Sequence, residues 1–198
     1  MTPFRRHTLV WLSQPPQPKF PDDAAAAAAW HAAGHPFVVC RQRGGPLALG
    51  FCLPAPGRRP RRIACHSDPA SIVRDSRPPR LADVAAGPGP LFAKISAAAR
   101  DAGVDLRVFG SWMWQALTGE VHVGPASDLD VLVDVSGRKE ADRAVEFLRS
   151  ACEASPCRID GELAFPAGDV SWRDYAGTAP EVLLKSIDTI RLVPREEL

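Results

Sequence analysis

Apolar and polar positions along the chain fall into short runs separated by Gly and Pro, and the period of each run sets the expected element. Residues 7–12 read as a short strand, stopped by Pro15, Pro16 and Pro18. Asp22 and Asp23 precede six alanines, Ala24 to Ala29, a pattern that predicts a capped helix running to about Ala33 with Gly34 as its stop. Trp30 and the alanines form its packing face. Residues 37–41 and 47–53 read as two strands joined at Gly44-Gly45, and 61–65 as a third. From Asp75 to Pro90 the Pro and Gly density predicts a linker.

Beyond it the pattern changes. Phe92, Ile95, Ala98, Ala99 and Ala102 share a helical face over 91–102. Residues 106–109 predict a buried strand that turns at Gly110-Ser111 into a helix over 112–118, closed by Gly119. A loop over 122–126 leads to a central strand over 128–135. Residues 138–153 form an amphipathic helix with Ala141, Ala144, Val145, Leu148 and Cys152 inward. A strand over 158–165 follows. Residues 170–176 read as irregular or a short strand, and 182–185 with 189–193 as a terminal hairpin. The expected class is α+β: a small N-terminal α+β domain over 1–86, then a mixed-sheet domain over 87–198.

Composition narrows the function classes. A net charge of +1 on 198 residues gives no global attraction to nucleic acid or to a membrane surface, and neither is expected as a partner. No run of about 20 apolar residues predicts a membrane span, and no leader pattern stands at the N-terminus, so a cytoplasmic protein is expected. Cys40, Cys52, Cys65, Cys152 and Cys157 are odd in number and lack CxxC spacing, which argues against a disulfide framework or structural zinc. Arg58, Arg59, Arg61 and Arg62 form a basic cluster that either grips phosphate or an acidic partner protein or is a solvated loop.

The candidate chemistry lies in the second half. Side chains alternate along a strand, so Leu129, Val131, Val133 and Val135 seek a core while Asp128, Asp130, Leu132 and Asp134 share the other face. Two carboxylates side by side repel, and one pKa rises unless a cation intervenes. Mg²⁺ suits such a pair, because it takes carboxylate and phosphate oxygens together. Gly110-Ser111, entering a helix, offers backbone N–H groups and a hydroxyl to an anion. A third acid is expected on the 158–165 strand. Asp160 and Glu162 share a face there; Asp160 is preferred for its shorter stem, and a solvent-facing pair is the alternative. Trp112, Trp114, Trp172 and Tyr175 are either stacking platforms for a base or plain core.

Gly110-Ser111 followed after 16 residues by Asp128-Leu129-Asp130 resembles the nucleotidyltransferase superfamily pattern, with a somewhat longer gap. Wider motifs narrow the likeness. Trp30-His31 with Gly34 and Pro36 to Val39, the run from Leu49 to Pro54, Arg62 to Cys65, Arg107 to Gly119, Ser127 to Asp130 and Asp160 to Pro166 are similar to the malonate decarboxylase holo-acyl-carrier-protein synthase family. The resemblance spans His7 to about Val193. It implies a nucleotidyltransferase-like second domain that transfers the phosphoribosyl-dephospho-CoA group from 2′-(5″-triphosphoribosyl)-3′-dephospho-CoA to a serine of the apo acyl carrier subunit of malonate decarboxylase. Pyrophosphate is released. Asp128, Asp130 and Asp160 would then be catalytic and hold Mg²⁺, with Asp160 alternatively a base, and Gly110 and Ser111 would cradle phosphates. The competing readings are a transferase that adenylylates a small molecule or protein, and a non-catalytic binding module on the same fold.

Overall fold

The computed structural model describes residues 4–54, 60–84, 90–155 and 157–198. The first half is a six-stranded antiparallel sheet. Its strands are β1 (Leu9–Leu12), β2 (Gln17–Pro18), β3 (Phe37–Val39), β4 (Leu47–Leu53), β5 (Arg61–Ser67) and β6 (Ile72–Ser76), in the order β2-β5-β4-β3-β1-β6. Helix α1 (Ala24–Ala32) packs on it through Ala27 and Trp30. Trp30 lies against Phe51 of β4, ring centres 4.7 Å apart, and Phe37 meets Phe51 edge-on. Two details differ from the sequence reading. Asp23 stands at the helix start but makes no side-chain cap; its buried carboxylate pairs with Arg61 instead, since a buried charge needs a countercharge more than the helix needs a cap. Ile72–Ser76 is a strand because it pairs antiparallel with β1, so the expected linker begins inside an element.

The second half opens with α2 (Leu81–Val84) and α3 (Pro90–Asp101). The predicted boundary near residue 86 lies outside the described residues. Leu81 and Val84 are buried, and Val108 donates its N–H to the Pro79 carbonyl, so residues 79–84 belong with the second core. The second sheet contains β7 (Leu106–Phe109), β8 (Leu129–Asp134), β9 (Ile159–Phe165), β10 (Gly168–Ser171), β11 (Glu181–Lys185) and β12 (Ile190–Pro194), in the order β12-β11-β10-β9-β8-β7. It is mixed. β8 and β9 run parallel because α5 (Arg138–Ala154) returns the chain between them; every other pair is antiparallel. Helix α4 (Gly110–Thr118) follows β7 directly, and Gly119 closes it at φ 72°. The 170–176 stretch splits into β10 and the short helix α6 (Trp172–Ala176), whose start Ser171 caps through its hydroxyl. The protein is thus α+β with two six-stranded sheets. Among the described residues, no helix is long and apolar enough to cross a membrane.

Candidate active site

Strand phase places the acids. Leu129, Val131 and Val133 are buried, which turns Asp130 to the opposite face of β8. Parallel register sets Asp130 beside Asp160 of β9, and antiparallel register sets it beside Phe109 of β7. Gly110 comes next. It enters α4 at φ 70°, and a Cβ built there would collide with the Asp130 carboxylate. Only glycine meets both demands, a left-handed backbone and a carboxylate pressed against its Cα. The first turn of α4 therefore stands against Asp130, and Ser111 follows it into the same cavity.

The acids are not equally satisfied. Burial pushes the Asp130 carboxyl up to about 6, and the charges of Asp128 and Asp160 push the same way against Arg62 and His7. Among the described residues, Asp128 has only a distant contact with Arg158, 3.9 Å. Asp160 accepts from Arg158 at 2.9 Å and from the Gly161 N–H at 2.9 Å, with Arg173 at 3.9 Å. Asp128, Asp130 and Asp160 carry hard oxygen donors of the kind a divalent cation takes, but they are not among the side chains whose ligand atoms converge within 4.8 Å as a group of three.

Glu162, two residues further along the same face of β9, stands in a different setting. Its carboxylate accepts from Arg6 at 3.0 Å, from the His7 ring at 2.8 Å and from Lys185 at 2.7 Å. Asp169 of β10 joins through Arg6 at 2.8 Å. Burial raises the Glu162 carboxyl, but His7, Arg6 and Lys185 outweigh it and hold the group well below the usual range. Burial beside the Glu162 charge pushes Asp169 up to about 6 despite Arg6 and His7. His7, Glu162 and Asp169 bring ligand-type atoms within 4.8 Å of one another, a spacing a metal ion can use. Here the Arg6 guanidinium already bridges the two carboxylates.

A cavity of about 760 Å³ opens between the two sheets. Gly110, Ser111 and Asp130 line it, with Arg62 and His7 contributed by the first half. Phe51, Met113, Trp114 and His122 line its apolar remainder. Of the four aromatic candidates, Trp114 reaches this cavity. Trp112 packs on Phe92; Trp172 is buried with Arg173 stacked on it; Tyr175 bonds Asp142 on the far side of the sheet. Lys185 is engaged by Glu162. Arg58 and Arg59 lie outside the described residues, Arg61 pairs with Asp23, and Arg62 faces the cavity. Sequence reasoning named Arg62 as a candidate phosphate grip but missed His7 and His122 as cavity residues. Only His7 carried a local sign, a φ of 63° that no pattern of residues announces.

Fold and site together define a two-unit α+β protein in which the start of α4 and the Asp130 carboxyl face one inter-sheet cavity. Family models for the phosphoribosyl-dephospho-CoA transferase MdcG match both halves, the N-terminal domain over residues 5–78 and the C-terminal domain over 79–196. The chain belongs to this family of transferases. A phosphoribosyl-dephospho-CoA transferase of Xanthomonas euvesicatoria pv. vesicatoria is 38% identical over 204 residues, covering 98% of this chain and 95% of the relative. Proteins of the same name from Pseudomonas putida and Azotobacter vinelandii are each 36% identical, covering 94% and 85% of this chain and 92% and 85% of their own. No solved structure matches the chain.

Proposed function

We propose that this protein transfers the phosphoribosyl-dephospho-CoA group from 2′-(5″-triphosphoribosyl)-3′-dephospho-CoA to a serine of the apo acyl carrier subunit of malonate decarboxylase, releasing pyrophosphate. The observation that carries the reading is the shared cavity of Gly110, Ser111 and Asp130 in a chain that matches both domains of the family. In this reading the second unit carries the chemistry and the first closes the cavity over the donor.

The residues divide the work. Gly110 lets a phosphate approach the start of α4, where free N–H groups and the Ser111 hydroxyl receive its oxygens. Arg62 adds positive charge from the facing sheet. Asp128 and Asp130, with Asp160 as a third acid, are the residues that would hold Mg²⁺. Bound there, the ion would offset charge on the phosphates and lower the cost of ionising the attacking serine. Asp130 already sits in partly buried surroundings, where charge interactions are stronger than in water. Arg158 and Arg173 orient Asp160.

The test is direct. Protein, apo carrier subunit, triphosphoribosyl donor and Mg²⁺ are combined, and the carrier is weighed by mass spectrometry. A mass gain of one phosphoribosyl-dephospho-CoA group is expected, lost with Asp130→Asn. A parallel arm with ATP in place of the donor looks for an AMP adduct, and such an adduct alone would replace this reading with adenylylation.

A further inference from the structure

His122 is a buried polar side chain that no group among the described residues satisfies. It is 5% exposed, and neither ring nitrogen has a hydrogen-bond partner among the described residues. Its place is fixed rather than incidental. The Gln115 side-chain oxygen of α4 accepts from the His122 N–H at 3.2 Å and from the Val123 N–H at 3.1 Å, pinning the loop to the helix. An unmade hydrogen bond at a buried group costs about 1–3 kcal/mol, so native structures keep such groups where a ligand or water completes them. Here the imidazole lines the same cavity as Gly110, Ser111 and Asp130.

The surroundings define what it takes. Phe51 and Trp114 supply aromatic walls; Val38, Met113 and Ile63 supply aliphatic ones. Burial lowers the His122 pKa, against a raising contribution from Glu120 and with His35 lowering it further. The ring is therefore neutral near pH 7, with one donor and one acceptor. A neutral imidazole among apolar walls suits an uncharged, flat, hydrogen-bonding group, not a phosphate. This inference rests on the proposed reaction, whose donor has two neutral hydrogen-bonding parts, the adenine and the pantetheine amides. The adenine is flat and can stack on Phe51 or Trp114. It also lies only two ribose rings from the reacting triphosphate, whereas the pantetheine departs through a separate diphosphate.

We infer that the apolar end of the inter-sheet cavity is an adenine subsite and that His122 hydrogen-bonds the edge of the base. Gly110 and Asp130 then receive the triphosphate at one end while His122 anchors the nucleoside at the other. Discrimination follows from the same arrangement, because a donor without the base leaves the buried imidazole unpaired.

The experiment uses the full chain and follows the His122 ring signals by NMR. AMP and pantetheine 4′-phosphate are titrated separately. AMP is expected to shift the His122 signals, and pantetheine phosphate to leave them in place. In the loading assay, His122→Leu is expected to raise the donor KM about tenfold, the loss of roughly one hydrogen bond to a buried partner. Should His122→Leu fail to fold, the wild-type titration still decides. A shift with pantetheine phosphate alone, or with neither probe, overturns the subsite. A wild-type chain that loads the carrier while AMP leaves His122 unmoved overturns this inference and spares the reaction. One that shifts with AMP but transfers nothing supports adenine binding and overturns the reaction.

Discussion

Strand β9 carries two acids on one face, two residues apart, in opposite circumstances. Glu162 is enclosed by Arg6, His7 and Lys185, each within 3.0 Å. Asp160 sits at the edge of a cluster with Asp128 and Asp130, where negative charge exceeds the positive charge available. Glu162 has solved its electrostatic problem within the protein, although Asp169 beside it is pushed up to about 6. The cluster around Asp130 has left it open, and Asp130, pushed up to about 6, carries the strain. Satisfied charge holds the two sheets together; unsatisfied charge facing a cavity is what a cationic or metal-bearing ligand can complete.

The contrast can be broken from either side. The largest effect is expected on transfer: Asp130→Asn should lower the loading rate at least ~100-fold, about 3 kcal/mol of barrier, the scale of losing a principal charge stabiliser. Its thermal midpoint should hold or rise, since a crowded carboxylate is removed. Time-resolved mass analysis of the carrier and a calorimetric scan measure the two, and a loaded carrier at near-normal rate would end the assignment of Asp130.

Glu162→Gln should reverse that profile. Breaking one member of a buried charge cluster costs about 3 kcal/mol, so urea unfolding should shift strongly. A Glu162→Gln chain as stable as the wild type would mean the Arg6–Glu162 contact contributes nothing.

Gly110→Ala should fall between the two. The left-handed backbone alone costs about 1 kcal/mol, and the added methyl presses on the Asp130 carboxylate. Transfer should drop about tenfold or more for this small loss of stability. Equal losses with Gly119→Ala, at φ 72° but with open space around it, would show that backbone strain and not the contact is responsible.

The smallest effect is on pH dependence, and Glu162 and Asp130 have opposite signs. Glu162 is held well below its ordinary value of 4.5, so its contribution to stability is complete above about that pH and is lost as pH falls towards the folded value. Asp130 is raised from 3.8 to about 6, so the folded chain favours the protonated form. Its penalty is absent below pH 3.8 and full above about 6. After allowance for solvent screening this is worth about 1 kcal/mol. Asp169 titrates in the same window, so the difference between wild type and Asp130→Asn is the quantity to read. Stability measured from pH 4 to 7 should fall less in the variant; identical slopes would contradict the raised Asp130.

Much of this was legible from local pattern. Alternation placed Asp130 opposite Leu129 and Val131, and the amphipathic period gave α5 with Ala141, Ala144 and Leu148 inward. Gly119 announced the end of α4. The misses were of another kind. β6 is a strand only because β1 is there to pair with it, and 170–176 was too short for any period to separate strand from helix. The cavity residues His7, Arg62 and His122 meet Asp130 only because one sheet faces the other. Sequence spacing carries no record of that meeting, and neither does it tell Glu162 from Asp160, since both alternate onto the same face. What separates them is who arrives from the other half.

The order of synthesis gives the Arg6–Glu162–Lys185 cluster a further meaning. Arg6 is made long before Lys185, and Glu162 needs both. Arg6 and Glu162 are 156 residues apart in the chain. The join between the sheets therefore cannot close on a nascent or shortened chain. The wall that brings Arg62 and His7 to the acids is completed only once β11 has been made, so a fragment ending before β11 would hold the acids without the finished clasp.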